Sequence, residues 1–294
     1  MAGEISPRIF LSASVPKPDR DPRFLEGPKE PRLMARIIET RVQDAVTSLV
    51  VEILRRGGQL AFGGHPAITP MVASAARNFE VKEEGARPIL IYQSDKYRDE
   101  TAPVGRKEMV DQGLAEVIWV PVGREKVRAE LAKRQKEAPA SWFEDPARFA
   151  QLCTGQAAPG APPILVEALT LMRIFIFADS RPACTICMGG MEGVTGEFRI
   201  YREFLEEKDI APERRIFALR STYGATASLD QAGVGFYDRE FFTGDARGQA
   251  GLVPERLEVS KNQADIEQQL LRRVRYERLM ERLVEEVVSA GPLP

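Results

Sequence analysis

The chain has 294 residues, 44% of them hydrophobic and 29% charged, enough to bury one large core or two modest ones in a globular protein. Its formal net charge is −2 and neither sign is segregated along the chain, so capture of nucleic acid through its phosphates has no support. The sequence holds no apolar stretch of about 18 residues and no charged, apolar, small-residue leader; no membrane contact is expected, and the chain reads as cytoplasmic.

Strand and helix patterns alternate from the beginning. Residues 8–11 (Arg-Ile-Phe-Leu) read as a first strand. Residues 34–56 read as a long helix, with Ile37, Ile38, Val42, Ala45, Val46, Leu49, Val50, Ile53 and Leu54 recurring at helical spacing and Gly57-Gly58 as the stop. Residues 59–62 form a second strand, and residues 66–78 a helix with proline in its first turn. Two further β runs at 88–92 and 116–121 flank a short helix near 104–113, and a helix follows at about 124–136. Residues 138–163, dense in Pro, Ala and Gly, read as an insertion or flap. Its Trp142 and Phe143 suit packing onto the body or capping a ligand.

The second half repeats the pattern, with an apolar helix at 164–177, a strand at 184–188, a helix at 194–207 and a strand at 215–219. A last helix at 262–289 carries Ile266, Leu270, Val274, Leu279, Leu283 and Val287 as an apolar stripe, suited to docking on its own body or on a second copy. The whole is expected to be one α/β domain over residues 1–294, Rossmann-like, with a mostly parallel sheet covered by helices on both faces plus the C-terminal helix. In such sheets a ligand sits beyond the carboxyl ends of the strands, at the switch point of the strand order.

Three cysteines are present, and Cys184 and Cys187 make a CxxC, a spacing shared with redox and zinc motifs. On a strand, residues three apart point to opposite faces, which predicts two buried structural thiols. With His65 the only histidine, ligands for zinc are scarce and no metal is expected.

Candidate site residues gather at strand-to-loop junctions on one rim. Ser12 and Ser14 end the first strand. Gly63, Gly64 and His65 lead from the second strand into a helix, with His65 beside the place an anion would take, although a lone histidine there is also a common cap. Residues Gly189-Gly190-Met191-Glu192-Gly193-Val194-Thr195-Gly196-Glu197 follow the apolar run 185–188. There a buried strand enters a glycine-rich turn that opens a helix, a geometry suited to an anion and a sugar. Arg173 is the one cation in an apolar helix, sixteen residues before Gly189, and a buried guanidinium must pair with something.

The order of these elements, LAFGGHPAITPMVASAA, then LTLMR, then CMGGMEGVTGEF, resembles the Lonely Guy family and the related SLOG superfamily over about residues 8–220. Lonely Guy enzymes are Rossmann-like phosphoribohydrolases with a glycine-pair loop, an arginine and a PGGxGTxxE motif. Those positions fall here on Gly63 and Gly64, on Arg173, and on Gly189, Gly190, Gly193 and Glu197. The motif departs from the enzyme pattern: Met188 replaces the proline, Gly196 the first acid, Ile174 the lysine after the arginine, and the stretch from Gly190 to Glu197 is one residue longer. One residue on a helix is a rotation of about 100°, enough to misplace a catalytic carboxylate.

The GGMEGV form is similar instead to SLOG domains of bacterial conflict systems. The resemblance implies a receptor for a nucleotide-derived signal, such as a cyclic ADP-ribose variant or another ADP-ribose or NAD derivative, with no resident cofactor. It implies a homo-oligomer or a TIR or other effector partner in antiviral defence. The rival expectation is hydrolysis of a nucleoside 5′-monophosphate, with Glu197 and Arg173 as catalytic residues. A third is an assembly subunit using its terminal helix.

Overall fold

The computed structural model describes residues 7–17, 22–25, 31–77, 79, 87–212, 215–229 and 276–290. Strands β1 (Arg8–Ser14), β2 (Gln59–Phe62), β3 (Ile89–Ser94), β4 (Ala115–Val120), β5 (Cys184–Gly189) and β6 (Ile216–Leu219) form one sheet in the order β4-β3-β2-β1-β5-β6. Every pairing is parallel, so each connection is a crossover that leaves helices on the faces. The first four strands grow outward in one direction. The chain then returns across the sheet to lay β5 beside β1, which makes that boundary the switch point. The fold is Rossmann-like α/β.

Side-chain alternation divides the sheet between two cores. Ile9, Leu11, Ile186 and Met188 face one side, where α1 (Pro31–Arg55), α2 (Thr69–Ala76) and α3 (Arg106–Asp111) cover them. Phe10 and Cys187 face the other, under α4 (Arg124–Lys133), α7 (Pro163–Ser180) and α8 (Glu192–Glu206). Both faces are dry, as parallel strands require. The CxxC pair follows this division: Cys184 belongs to the first core and Cys187 to the second, both are free thiols, and burial pushes both well above the ordinary thiol range.

The 138–163 stretch holds structure of its own. It contains α5 (Ser141–Glu144) and α6 (Pro146–Cys153). Asp145 caps α6 by accepting from the Ala147 and Arg148 amides at 2.8 and 3.3 Å, with Pro146 in the first turn, a start signal readable in sequence. Trp142 is fully buried and lies edge-on to Phe204, 6.4 Å between ring centroids, so these aromatics anchor the insertion to the body and do not cap a ligand. After the short helix α9 (Ala225–Ser228), the terminal helix α10 (Tyr276–Ala290) packs on α1. Leu279, Leu283 and Val287 are buried there, and the Tyr276 and Ser221 hydroxyls are hydrogen-bonded at 2.9 Å. The earlier part of the stripe, Ile266, Leu270 and Val274, lies outside the described residues.

Candidate functional site

A cavity of about 380 Å³ opens beyond the carboxyl ends of β1, β2, β3 and β5. Of the residues expected from sequence, Ser14, Gly63, Gly64, His65, Arg173, Gly193 and Glu197 line it. Ser12 lies just behind, fully buried, and Gly189 and Gly190 form the turn at its back.

The glycine turn is occupied by the chain itself. The Gly189 amide donates to Thr222 Oγ1 at 2.7 Å, the Gly190 amide to the Ser14 carbonyl at 2.7 Å, and the Met191 amide to Ser14 Oγ at 3.2 Å. From the other side Thr226 Oγ1 donates to the Gly189 carbonyl at 2.7 Å and the Ala225 amide to the Gly190 carbonyl at 2.9 Å. These two glycines are required by packing: both have positive φ, a Cβ on Gly189 would stand 2.7 Å from Val42 Cγ2 and one on Gly190 2.4 Å from Val194 Cγ2. The expectation of free amides at Gly189 and Gly190 for an anion is therefore corrected. Ser14 and Thr222 satisfy them, and the α8 residues that reach the cavity are Glu192, Gly193, Val194 and Glu197.

On the cavity floor, Ser12 Oγ donates to Glu197 Oε2 at 2.6 Å. Arg173 Nε stands 3.8 Å from Glu197 Oε1, an ion pair too long for a hydrogen bond, and Nε has no hydrogen-bond acceptor. Burial raises the Glu197 carboxyl above its ordinary range, against Arg173 and the Ser12 hydrogen bond, which pull it down. Burial likewise lowers Arg173, opposed by Glu197, although a guanidinium stays charged at any ordinary pH. The one-residue extension of the glycine loop does not turn Glu197 away; it reaches the cavity beside Arg173.

Sequence reasoning missed Gln156. Its backbone and side-chain oxygens both accept from Arg173 Nη1, at 2.6 and 2.7 Å. Gly196 makes room for this contact, since a Cβ there would lie 2.5 Å from Gln156 Oε1. The glycine in place of the enzymes' first acid thus has a packing cause. Gln156 sits in a Pro, Ala and Gly stretch with no periodicity, and only the fold brings it to Arg173.

His65 lies in the turn before α2, where its carbonyl accepts from the Ile68 and Thr69 amides, each at 2.9 Å, and its Nδ1 accepts from the Ala67 amide at 3.2 Å. Gln93, Tyr97, Glu100 and Arg106 also line the cavity. Gln93 lies near the end of β3 and the others follow that strand, at a junction whose sequence carries no glycine pair. Among the described residues no group of His, Cys, Asp or Glu is placed to hold a metal ion, and no helix is long and apolar enough to cross a membrane.

No curated protein and no solved structure matches the chain. The family model of the SLOG cluster3 family matches residues 36–128 and 143–241, which include the glycine-pair loop, Arg106, Gln156, Arg173 and the whole turn from Gly189 to Glu197. With most of its length matched and a Rossmann-like sheet bearing the cavity at its switch point, the chain belongs to the SLOG cluster3 family, a Rossmannoid domain of nucleotide-related type.

Proposed function

We propose that the protein is a receptor for a nucleotide-derived signal, such as a cyclic ADP-ribose variant or another NAD-derived product, with no resident cofactor. Binding is coupled to self-association or to recruitment of a TIR or other effector in antiviral defence. The observation that carries this reading is one cavity uniting four strand-end loops over the buried Ser12–Glu197–Arg173 floor. Its volume falls within the roughly 300–1,000 Å³ of small-molecule sites, and its lining mixes carboxylates, guanidiniums and amides with apolar side chains, as a nucleotide needs.

Hydrolysis of a nucleoside 5′-monophosphate is the second reading. It is favoured by one observation, that Glu197 faces the cavity with a raised pKa, a property suited to proton transfer. Arg173 speaks against it, because the phosphate-holding arginine of that scheme is only 4% exposed and already donates to Gln156.

Two measurements on the purified chain test the proposal. ADP-ribose is expected to raise the melting temperature well beyond adenosine, and the sedimenting mass is to be compared with and without it. AMP is expected to yield no free base above background. Turnover of about 1–1,000 per second, abolished in Glu197→Gln, would assign the cavity to the hydrolase.

A further inference from the structure

Two arginines line the cavity, and they differ in what already occupies them. Arg173 is 4% exposed, spends Nη1 on two Gln156 oxygens and has Glu197 opposite its Nε, which is sealed from solvent. Gln156 takes none of its Nη2 protons, but a phosphate drawn there would stand beside the buried Glu197 carboxylate that already neutralises the guanidinium.

Arg106, at the start of α3, is in the opposite condition. Among the described residues it makes no ion pair. Its Nη1 donates to the neutral side-chain oxygen of Gln93, and its guanidinium lies 5.5 Å from the centroid of the Trp119 ring. The fold sets this geometry. Gln93 on β3 is directly paired in register with Trp119 on β4, so both side chains leave the same face of the sheet, the face that α3 covers. Gln93 is 8% exposed, and the Gly64 backbone closes on it so tightly that a Cβ there would stand 3.0 Å from its amide nitrogen. A buried amide and an aromatic face thus hold a guanidinium whose charge is not cancelled, and a held fork loses less on binding an oxyanion than a free one.

We propose that Arg106, oriented by Gln93 and Trp119, is the anion-binding residue of the cavity and takes the phosphate of a sugar phosphate. Glu100 lines the same cavity and is likewise without an ion pair among the described residues. A bare anion would be repelled by it, whereas a ribose phosphate offers the guanidinium an oxyanion and the carboxylate a hydroxyl donor. Arg173 and Glu197 then form a self-neutralised floor beneath the ligand.

This inference rests on the nucleotide reading, and the test separates the two. Binding of adenosine, AMP and ADP-ribose is measured by calorimetry for the wild-type chain, Arg106→Gln and Arg106→Lys, with the ligand-free melting temperature of each as a check on folding. The wild-type chain is expected to prefer AMP to adenosine. Arg106→Gln is expected to lose about 10- to 100-fold in AMP affinity, the range of one charge-assisted hydrogen bond, with adenosine affinity unchanged; Arg106→Lys recovers part of the loss. A folded Arg106→Gln chain that keeps the full preference for AMP overturns the role of Arg106 and leaves the nucleotide reading standing. A wild-type chain that binds none of the three overturns both.

Discussion

Arg173 and Gln156 are joined by two hydrogen bonds from a single nitrogen, at 2.6 and 2.7 Å, across the interface between α7 and the insertion. Gly196 on α8 is the third side of that contact. Gln156→Ala is expected to destabilise the chain by about 1–3 kcal/mol, the cost of depriving a buried polar group of its partner. Gly196→Ala is expected to cost about 1–3 kcal/mol by overpacking. Because both act on the same space, Gly196→Ala should cost less in the Gln156→Ala background. Urea denaturation of the two single variants and the double variant checks this, and additive losses would show that the three residues are not one unit.

Glu197 predicts a pH dependence of definite sign. Burial raises its carboxyl in the folded state above the ordinary 4.5, so between those two values the folded chain binds more protons than the unfolded one. Its contribution to stability is fully present below the unfolded value and is lost as pH rises through the folded one. The difference in unfolding free energy between the wild-type chain and Glu197→Gln, measured at steps from pH 4 to pH 8, is expected to fall with rising pH and then level off. A difference that rises over that range would mean the ionised carboxylate is the form the fold prefers.

The thiols should react in two classes. Burial pushes up the pKa of all three, but Cys153 at the end of α6 is only half-buried and within reach of a reagent, while Cys184 and Cys187 are sealed in opposite cores. Only the thiolate reacts, so an aromatic disulfide reagent at neutral pH is expected to label one equivalent in the native chain and three after denaturation. Rapid modification of Cys184 and Cys187 together, or an intramolecular disulfide between them, would contradict their placement on two faces.

Leu283 tests where the terminal helix docks. It is fully buried in the core that α10 shares with α1, so Leu283→Ala is expected to cost about 2–5 kcal/mol in the stability of the ligand-free chain. A change in sedimenting mass with no loss of stability would instead assign that face to a neighbouring copy.

Much of the fold was legible in the chain because it depends on local periodicity. The alternation of Ile9, Phe10 and Leu11, the opposite facing of Cys184 and Cys187, the helical stripe of α1 and the glycine pairs that follow β2 and β5 all follow from the 2.0 and 3.6 repeats and from backbone sterics. Those rules also place the loops of Ser12, Gly63 and Gly189 on one rim, since parallel strands end together. What no local rule carries is the partner of each polar group. The Gly189 and Gly190 amides look free in sequence, yet Thr222 and Ser14 take them. Arg173 looks ready for a phosphate, yet Gln156 from an aperiodic insertion holds it. Arg106 carried no motif, and it became the uncancelled charge of the cavity only because the pairing of β3 with β4 set Gln93 beside Trp119. Hydrogen-bond satisfaction and charge neutralisation are settled by contacts between residues far apart in the chain, so the tertiary structure alone decided which of the predicted site residues face the cavity and which are tied up by the chain itself.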